Sequence, residues 1–389
     1  MLAAKMTPRQ RVITALSHEE PDTVPTALGG GPYGIVDELY FRLIKILDLG
    51  KPVPPFREGH NISYMDDRLL DRLGTDIRYC WSGKLPNSPS VSGANEETFV
   101  DYYGQVWKRA FPYYYADEAL LKDIGNVDKI DQRVSWPDMA DSCWMTGVAD
   151  RARTLNEQTD YFIVMRMVAS HGPFQTGCDL RGTETFLMDM ATNPIFAETL
   201  LDKVTGVLEG LIKLAMQAGG KYFDMIELPG DDYAGNNNLI MSPTMFRKFI
   251  KPCIKRMVKA IREHNPNIKI MLHSDGAITK LLEEIIDLEI DVIHPLEPLP
   301  ATDLSAIKER FGQRVAFLGG IDISHSMTGN RDEVKAEVRR RITQLAQGGG
   351  YILAPSNHLQ ADIPEENVIT LYQSAHEYGR YPIRVSNND

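Results

Sequence analysis

Short apolar runs alternate along this chain with longer stretches in which apolar residues recur every three or four positions. The runs are mostly continuous rather than alternating, which is typical of strands that are covered on both faces. The eight candidate strands are Thr23–Leu28, Thr75–Cys80, Tyr161–Val168, Phe223–Leu228, Ile268–Leu272, Asp291–His294, Val315–Leu318 and Tyr351–Ala354. Eight strand–helix repeats within 389 residues predict a parallel (β/α)8 TIM barrel.

The stretch after the fourth candidate strand shows the helical pattern. Ser242 and Pro243 form a typical helix start, with a capping hydroxyl followed by proline at the first helical position. Apolar residues then follow at helical spacing from Met245 to Ile261. Pro252 lies inside this stretch, so we expect the helix to be kinked or split there.

One segment, Trp81–Arg153, lacks the strand–helix alternation. Within it, Phe99–Ala110 has the pattern of a hairpin that turns near Tyr103 and Gly104. We interpret residues 1–389 as a single barrel domain that carries an insertion at about 81–153, after strand two. Long insertions in compact folds commonly serve as lids or binding loops. We therefore expect this one to cover the active site.

Composition narrows the choice of compartment and partner. The net charge of −11 disfavours nucleic acid and anionic membranes as partners. The four cysteines form no C-x-x-C motif, which is typical of a reduced protein, so we expect a cytoplasmic location. The N-terminal residues have no apolar signal core, and no apolar run reaches the ~18 residues of a membrane span.

Polar and ionisable residues follow the candidate strands at the same end of each one. In barrels of this kind the active site forms from the loops at the carboxyl ends of the strands. The side chains in this position, together with one acid on strand four, are His171, Glu227, Asp231, Asp232, Tyr233, His273, Asp275, His294, Asn357 and His358.

His273 and Asp275 are the most specific of these residues. They are two positions apart just past strand five, and imidazole and carboxylate are common ligands of zinc and similar metals. The alternative is a histidine oriented by a carboxylate, without a metal. The adjacent pair Asp231 and Asp232 suits metal binding or general-base work, or else a solvated turn. Glu227 is a third acid if its side chain points inward.

From these positions we expect three overlapping sets of site residues. Catalysis is assigned to Asp231, Asp232, His273 and His358. Substrate binding is assigned to His171, Tyr233, His294 and Asn357. A divalent metal, with zinc as the first choice, is assigned to His273, Asp275 and Glu227.

The run Gly29–Gly34 formally matches the dinucleotide-binding pattern G-x-G-x-x-G. A dinucleotide site also requires an acidic residue at the end of a second strand, about 20 residues further on, to bind the ribose, and none is found there. Pro32 also removes an amide that would face a phosphate. A tight turn is the favoured interpretation.

Several motifs resemble those of the uroporphyrinogen decarboxylase superfamily, over nearly the whole chain except Trp81–Arg153. They lie at residues 6–11, 21–25, 181–184, 230–232, 242–243, 273–276, 319–322, 349–355 and 364–368. The resemblance implies a barrel with its site at the strand ends. It also implies two activities: metal-free tetrapyrrole decarboxylation, and zinc-dependent methyl transfer with corrinoid proteins.

The departures from each branch separate the two activities. Decarboxylases carry an arginine-rich R-Q-A-G-R motif after strand one, and residues 28–34 contain no arginine. Methyltransferases that use coenzyme M carry H-x-C and a late cysteine. His273 matches the histidine, whereas Asp275 and Asn357 stand at the two cysteine positions. Oxygen ligands give a harder metal site, which is suited to the oxygen of a methyl ether.

The sequence therefore favours a metal-dependent methyltransferase that moves a methyl group from a small methylated substrate, such as a methyl ether, to the cobalt of a corrinoid protein. The corrinoid would be supplied by that partner. A decarboxylase of a carboxylated substrate and a non-catalytic ligand-binding barrel stay open as alternatives. The oligomeric state also stays open, with a homodimer among the options.

Overall fold

The computed structural model describes residues 5–57, 60–83, 98–110, 113–140 and 142–383. Its strands are β1 (Ile77–Cys80), β2 (Thr98–Val100), β3 (Val106–Ala110), β4 (Tyr113–Ala116), β5 (Phe162–Met165), β6 (Met225–Glu227), β7 (Lys269–His273), β8 (Val292–His294), β9 (Ala316–Ile321) and β10 (Tyr351–Pro355). Seven of them form a parallel sheet in the order β1-β5-β6-β7-β8-β9-β10. This curled sheet with its flanking helices is the predicted (β/α)8 barrel.

The first candidate strand, Thr23–Leu28, joins the barrel through isolated contacts. Thr26 pairs in parallel with Leu353 of β10, and its carbonyl oxygen accepts a 2.9 Å hydrogen bond from the amide of Asp76 beside β1. Pro25 has no N–H to give to a ladder, and the Thr26 amide donates to the Asp76 side chain at 2.8 Å. The segment therefore lies between β10 and β1 without forming a continuous strand.

The helices lie between the strands along the chain. They are α1 (Pro8–Leu16), α2 (Asp37–Ile46), α3 (Asp67–Leu73), α4 (Ile130–Arg133), α5 (Val148–Gln158), α6 (Pro173–Arg181), α7 (Thr183–Thr192), α8 (Pro194–Gly219), α9 (Pro243–Met245), α10 (Lys251–Arg262), α11 (Leu282–Ile286), α12 (Leu304–Phe311), α13 (Arg331–Leu345) and α14 (Glu365–Tyr378). Short 3₁₀ turns occur at Val127–Lys129, Ser142–Met145 and Ile278–Leu281. Within the described ranges, none of the helices combines the length and apolar character that crossing a bilayer requires.

The helix expected to break at Pro252 is indeed split. A π-helical turn at Phe246–Ile250 separates α9 from α10, and Pro252 is in the first turn of α10. Proline lacks the N–H that would continue the preceding helix, so the wider turn satisfies the local geometry instead. The apolar side of α10, including Ile254, Met257 and Ile261, is buried as the spacing predicted.

The inserted segment forms its own antiparallel sheet from β2, β3 and β4. The predicted hairpin is confirmed: Asp101 Oδ1 accepts hydrogen bonds of 2.8 and 2.9 Å from the amides of Tyr103 and Gln105 in its turn. Residues 84–97, 111–112 and 141 of the predicted insertion lie outside the described residues. The role of this segment as a lid stays a prediction.

Candidate metal centre and active site

Three predicted residues meet where β6 and β7 end. Nε2 of His273 lies 3.8 Å from Oδ1 of Asp232 and 3.8 Å from Oδ1 of Asp275. One ligand atom from each of the three lies within 4.8 Å of the others. Two zinc ligands, each roughly 2 Å from the ion, lie no more than about 4 Å apart. Both imidazole–carboxylate distances meet that requirement.

A second histidine determines which nitrogen of His273 faces the carboxylates. His294 Nε2 lies 3.3 Å from the carbonyl oxygen of Pro355, where only an N–H can be donated. Burial keeps the pKa of His294 well below its ordinary value, so the ring is neutral and its Nδ1 accepts. Nδ1 of His273, 2.9 Å away, therefore donates. The Nε2 lone pair of His273 is left pointing at Asp232 and Asp275.

Asp275 is held in place but incompletely bonded. Nδ2 of Asn357 donates to its Oδ2 at 2.6 Å, and the Asp275 amide donates to Asp232 Oδ1 at 2.8 Å. Oδ1 of Asp275 is buried with no hydrogen-bond partner among the described residues. Burial, with added repulsion from Asp232 and Glu297, raises the pKa of Asp275 well above its ordinary value. A cation would give Oδ1 of Asp275 a partner and would offset the repulsion from the neighbouring carboxylates.

The adjacent residues Asp231 and Asp232 have different partners. Asp231 is buried and accepts from the amides of Phe174 at 3.0 Å and Gln175 at 2.8 Å, at the N-terminus of α6. Burial, with a contribution from Asp232, raises the pKa of Asp231 to about 7. Asp231 therefore binds a helix end, and Asp232 is the one that faces His273.

Glu227 does point inward, but the structure does not bring it into the group around His273. Its carboxylate accepts from the amide of Gly31 at 2.7 Å, the hydroxyl of Tyr33 at 2.9 Å and the amide of Met167 at 3.3 Å. Burial raises its pKa above the ordinary value. Asp232 occupies the ligand position that the sequence assigned to Glu227.

Three other predicted residues have partners away from His273. Nδ1 of His358 accepts from the Gly34 amide at 2.9 Å. His171 bonds to Asp179 at 2.7 Å. The Tyr233 hydroxyl donates to Asp231 at 3.3 Å, and its ring is buried. Of the residues predicted to bind substrate, His294 and Asn357 orient His273 and Asp275.

The inserted segment reaches the same end of the barrel. The ring of Trp107 lies 5.7 Å from that of His171, which follows β5. The hydroxyl of Tyr113 donates to the side chain of Gln360, after β10, at 2.8 Å. These contacts place part of the insertion beside the loops that carry the site.

Two arginines near the site were missed by the sequence analysis. Arg166 directly follows β5 and is 4% exposed. A charged residue inside the apolar run 161–168 was the signal for it. Arg57 comes from the loop between α2 and α3, where no periodic pattern marked it. Both guanidinium groups lie over the ring of Phe56, at 5.1 Å for Arg57 and 4.8 Å for Arg166.

Comparisons with known proteins complete the description of the site. Residues 124–378 match the family model "Uroporphyrinogen decarboxylase (URO-D)". The chloroplastic uroporphyrinogen decarboxylase of Zea mays is 25% identical over 193 residues, 49% of this chain and 45% of the relative. The chloroplastic uroporphyrinogen decarboxylase 2 of Arabidopsis thaliana is 24% identical over 187 residues, 48% of this chain and 44% of the relative. The aligned stretches thus span less than half of each relative.

Among solved structures, a methyltransferase from Methanosarcina mazei is similar with a TM-score of 0.64 and 20% sequence identity. The similarity covers 96% of this chain and 99% of that one. At this level of identity the match supports the barrel fold.

Proposed function

The chain belongs to the uroporphyrinogen decarboxylase family, and on that premise we propose that it is a metal-dependent methyltransferase. It would move a methyl group from a small methylated substrate to the cobalt of a corrinoid held by a partner protein. The structural neighbour from Methanosarcina mazei is a methyltransferase, and this motivates the choice within the family. The proposal itself rests on the chemistry of the site.

The observation that carries the proposal is the group of Asp232, His273 and Asp275. A neutral imidazole directs its lone pair at two carboxylates, and one of these has a buried oxygen without a described partner. Without a cation, this arrangement brings three electron-rich atoms together. A bound cation would be held by all three, which is the usual number of protein ligands in a catalytic zinc site.

A metal held here would supply Lewis acidity to the leaving heteroatom of the methyl donor. Residues of the chain orient the metal ligands and shield the site. His294 keeps the Nε2 atom of His273 free to bind, and Asn357 fixes the Asp275 carboxylate. Two oxygen ligands and one nitrogen form a harder set than thiolates, which suits an ether oxygen. The inserted segment, through Trp107, would exclude water from the substrate.

The test combines metal analysis with an assay. The purified protein is analysed for bound metal and then mixed with cob(I)alamin and a panel of methyl ethers under anaerobic conditions. We expect about one divalent metal per chain and the absorbance change of methylcobalamin formation. His273→Ala should lose both metal and turnover, whereas His264→Ala, in the turn that follows α10, should retain both. A metal-free protein whose His273→Ala variant transfers methyl groups at the full rate would refute the proposal.

Asp275→Cys tests the nature of the ligand set. A thiolate binds zinc more strongly than a carboxylate does, so we expect zinc affinity to rise. The softer site is also a weaker Lewis acid toward an ether oxygen, so turnover on methyl ethers should fall. Competition with a chromophoric chelator measures the first effect, and the cob(I)alamin assay measures the second. Equal zinc affinity in the two proteins would argue against Asp275 as a ligand.

Decarboxylation is the second candidate, and the names of the two plant relatives favour it. Release of carbon dioxide from carboxylated substrates by protein stripped of metal would support it. The two activities are therefore separated by their dependence on metal as well as by their products.

A further inference from the structure

Two arginines, Arg57 and Arg166, form a distinct cationic pair near the metal-binding group. Both guanidinium groups lie over the ring of Phe56. That ring is itself packed against Trp81, with ring centroids 5.4 Å apart. Both guanidinium carbons lie within cation–π range of the ring centroid, so Phe56 helps to hold the two groups in place. The pair is therefore preorganised and does not need a ligand to be assembled.

The hydrogen bonds of the two guanidinium groups are incomplete. Arg57 donates Nε to the Ile62 carbonyl at 2.7 Å, and Arg166 donates Nη2 to the Gly30 carbonyl at 3.0 Å. Nε of Arg166 is buried and has no partner among the described residues. Within the same ranges, no acceptor binds the terminal nitrogens of Arg57, and neither arginine forms an ion pair.

The nearby carboxylates do not satisfy these donors. Glu227 acts on Arg166 and Asp37 acts on Arg57 through longer-range attraction. Glu227 is already bonded to Gly31 and Tyr33, and Asp37 Oδ1 accepts from the Ser63 amide at 2.6 Å. A buried guanidinium with an unused N–H is unfavourable unless an acceptor arrives. Nε of Arg166 is such a donor, and the unbonded terminal nitrogens of the half-buried Arg57 lie beside the same Phe56 ring, so an acceptor from outside the chain could bind here.

Two structural links connect the arginine pair to the metal-binding group. His358 lies within electrostatic range of both: burial, then Arg57, Arg166 and His273, lowers its pKa well below the ordinary value. Met167 is the residue after Arg166, and its side chain approaches Gly230, as does the ring of His273. A Cβ atom built on Gly230 would lie 2.8 Å from His273 Cδ2 and 3.1 Å from Met167 Cε.

We propose that Arg57 and Arg166 bind a carboxylate of the substrate, so that the methyl donor is a small carboxylated compound. This rests on the proposed function for the site around His273. A planar carboxylate matches the fork of a guanidinium and can accept from both arginines. The packed rings of Phe56 and Trp81 add apolar surface nearby, which suits an aromatic or similarly flat body. These two arginines lie elsewhere in the sequence than the arginine motif of the decarboxylases, which is absent from residues 28–34, although Arg166 donates to the Gly30 carbonyl in that turn.

Binding of benzoate, followed by calorimetry, tests the subsite without turnover. We expect the double variant Arg57→Gln/Arg166→Gln to bind benzoate at least tenfold more weakly than the unchanged protein, and benzamide to bind to neither. Arg310→Gln is the matched control, because Arg310 is exposed and lies 4.7 Å over Phe311 on α12. The control should bind benzoate normally. Equal affinity in the unchanged protein and the double variant would overturn the proposal.

Two further measurements separate the alternatives. Since a carboxylate can also bind a metal, His273→Ala is titrated as well, and retained benzoate binding is expected. Arg57→Lys/Arg166→Lys keeps the charge but not the fork, so partial binding with an unchanged melting temperature excludes misfolding as the cause. Benzoate binding that disappears in His273→Ala yet persists without the arginines would place the carboxylate on the metal and refute the subsite.

The outcomes also separate this inference from the proposed function. In the cob(I)alamin assay, the double variant should raise KM for a methoxybenzoate at least tenfold and leave KM for anisole, a neutral ether, unchanged. An equal loss on both ethers would show that the arginines bind the corrinoid or inorganic phosphate, and would overturn the substrate assignment. Arginine-dependent benzoate binding without any methyl transfer would refute the proposed function and leave the subsite standing.

Discussion

The Nδ1 atoms of His273 and His294 lie 2.9 Å apart at the ends of neighbouring strands, β7 and β8. Because His294 uses its other nitrogen on the Pro355 carbonyl, this contact fixes the tautomer of His273. Histidine ligands commonly donate their second N–H to an acceptor that orients the ring. Here the acceptor is another imidazole, which carries no charge of its own.

His294→Phe keeps a ring of similar size and removes the acceptor. His273 then loses the bond that favours a free Nε2, and we expect zinc affinity to fall about 10- to 100-fold. Competition with a chromophoric chelator measures the change. His264→Phe serves as the control for a histidine remote from the site. Zinc affinity that is unaffected by His294→Phe would show that the ligand tautomer is set in another way.

Substitutions of Asp231 test whether this acid takes part in catalysis or stabilises the folded protein. Asp231→Asn retains an oxygen for the amides of α6, so turnover should stay within a few-fold of the unchanged protein. Asp231→Ala removes the helix N-terminal acceptor and should lower the free energy of unfolding by about 0.5–2 kcal/mol. Urea denaturation and the methyl-transfer assay measure the two effects. A loss of about 100-fold or more in Asp231→Asn, with metal content intact, would instead indicate a general base.

The pair of His171 and Asp179 makes stability depend on pH. Burial lowers the pKa of His171, but the charge and hydrogen bond of Asp179 outweigh it, so the pKa lies above the ordinary 6.5. The folded protein then holds the proton more tightly than the unfolded chain. The stabilisation is complete below pH 6.5 and is lost as pH rises through the folded-state pKa.

His171→Gln should therefore lower the free energy of unfolding more at about pH 5.5 than at about pH 8.5. Because the His171 side chain is 36% exposed, the difference should stay below about 1 kcal/mol. Urea denaturation of both proteins at the two pH values measures it, and His264→Gln reports the background. A larger effect at the higher pH would mean that the ion pair does not form.

Arg11 connects α1 to the segment that closes the barrel. Its side chain is 7% exposed, binds Asp22 through Nε at 2.7 Å and also pairs with Asp76, which is 2% exposed. Arg11→Leu would leave the Asp76 charge buried without its partner, so the free energy of unfolding should fall by about 3–5 kcal/mol. Arg314→Leu removes an exposed pair with Glu283 and should cost no more than about 1 kcal/mol. Similar losses in the two variants, measured by urea denaturation, would contradict this account.

The sequence by itself determined the architecture and the end of the barrel that carries the chemistry. Continuous apolar runs identify strands covered on both faces, and parallel strands bring their carboxyl ends to one side of a sheet. For that reason His273, Asp275 and Asn357, which are distant along the chain, could be assigned to one site. Their contacts in the structure follow from this shared position.

The tertiary structure decided what each side chain at that end does. Asp231 and Asp232 are neighbours in sequence, yet the amides of α6 bind the first and leave the second beside His273. Glu227 is bound by the turn that contains Gly31, and Arg57 comes from a loop without a periodic pattern. Periodicity reports which face of an element is buried. The direction of a side chain in a loop depends instead on hydrogen-bond donors and rings that the fold supplies from distant parts of the chain.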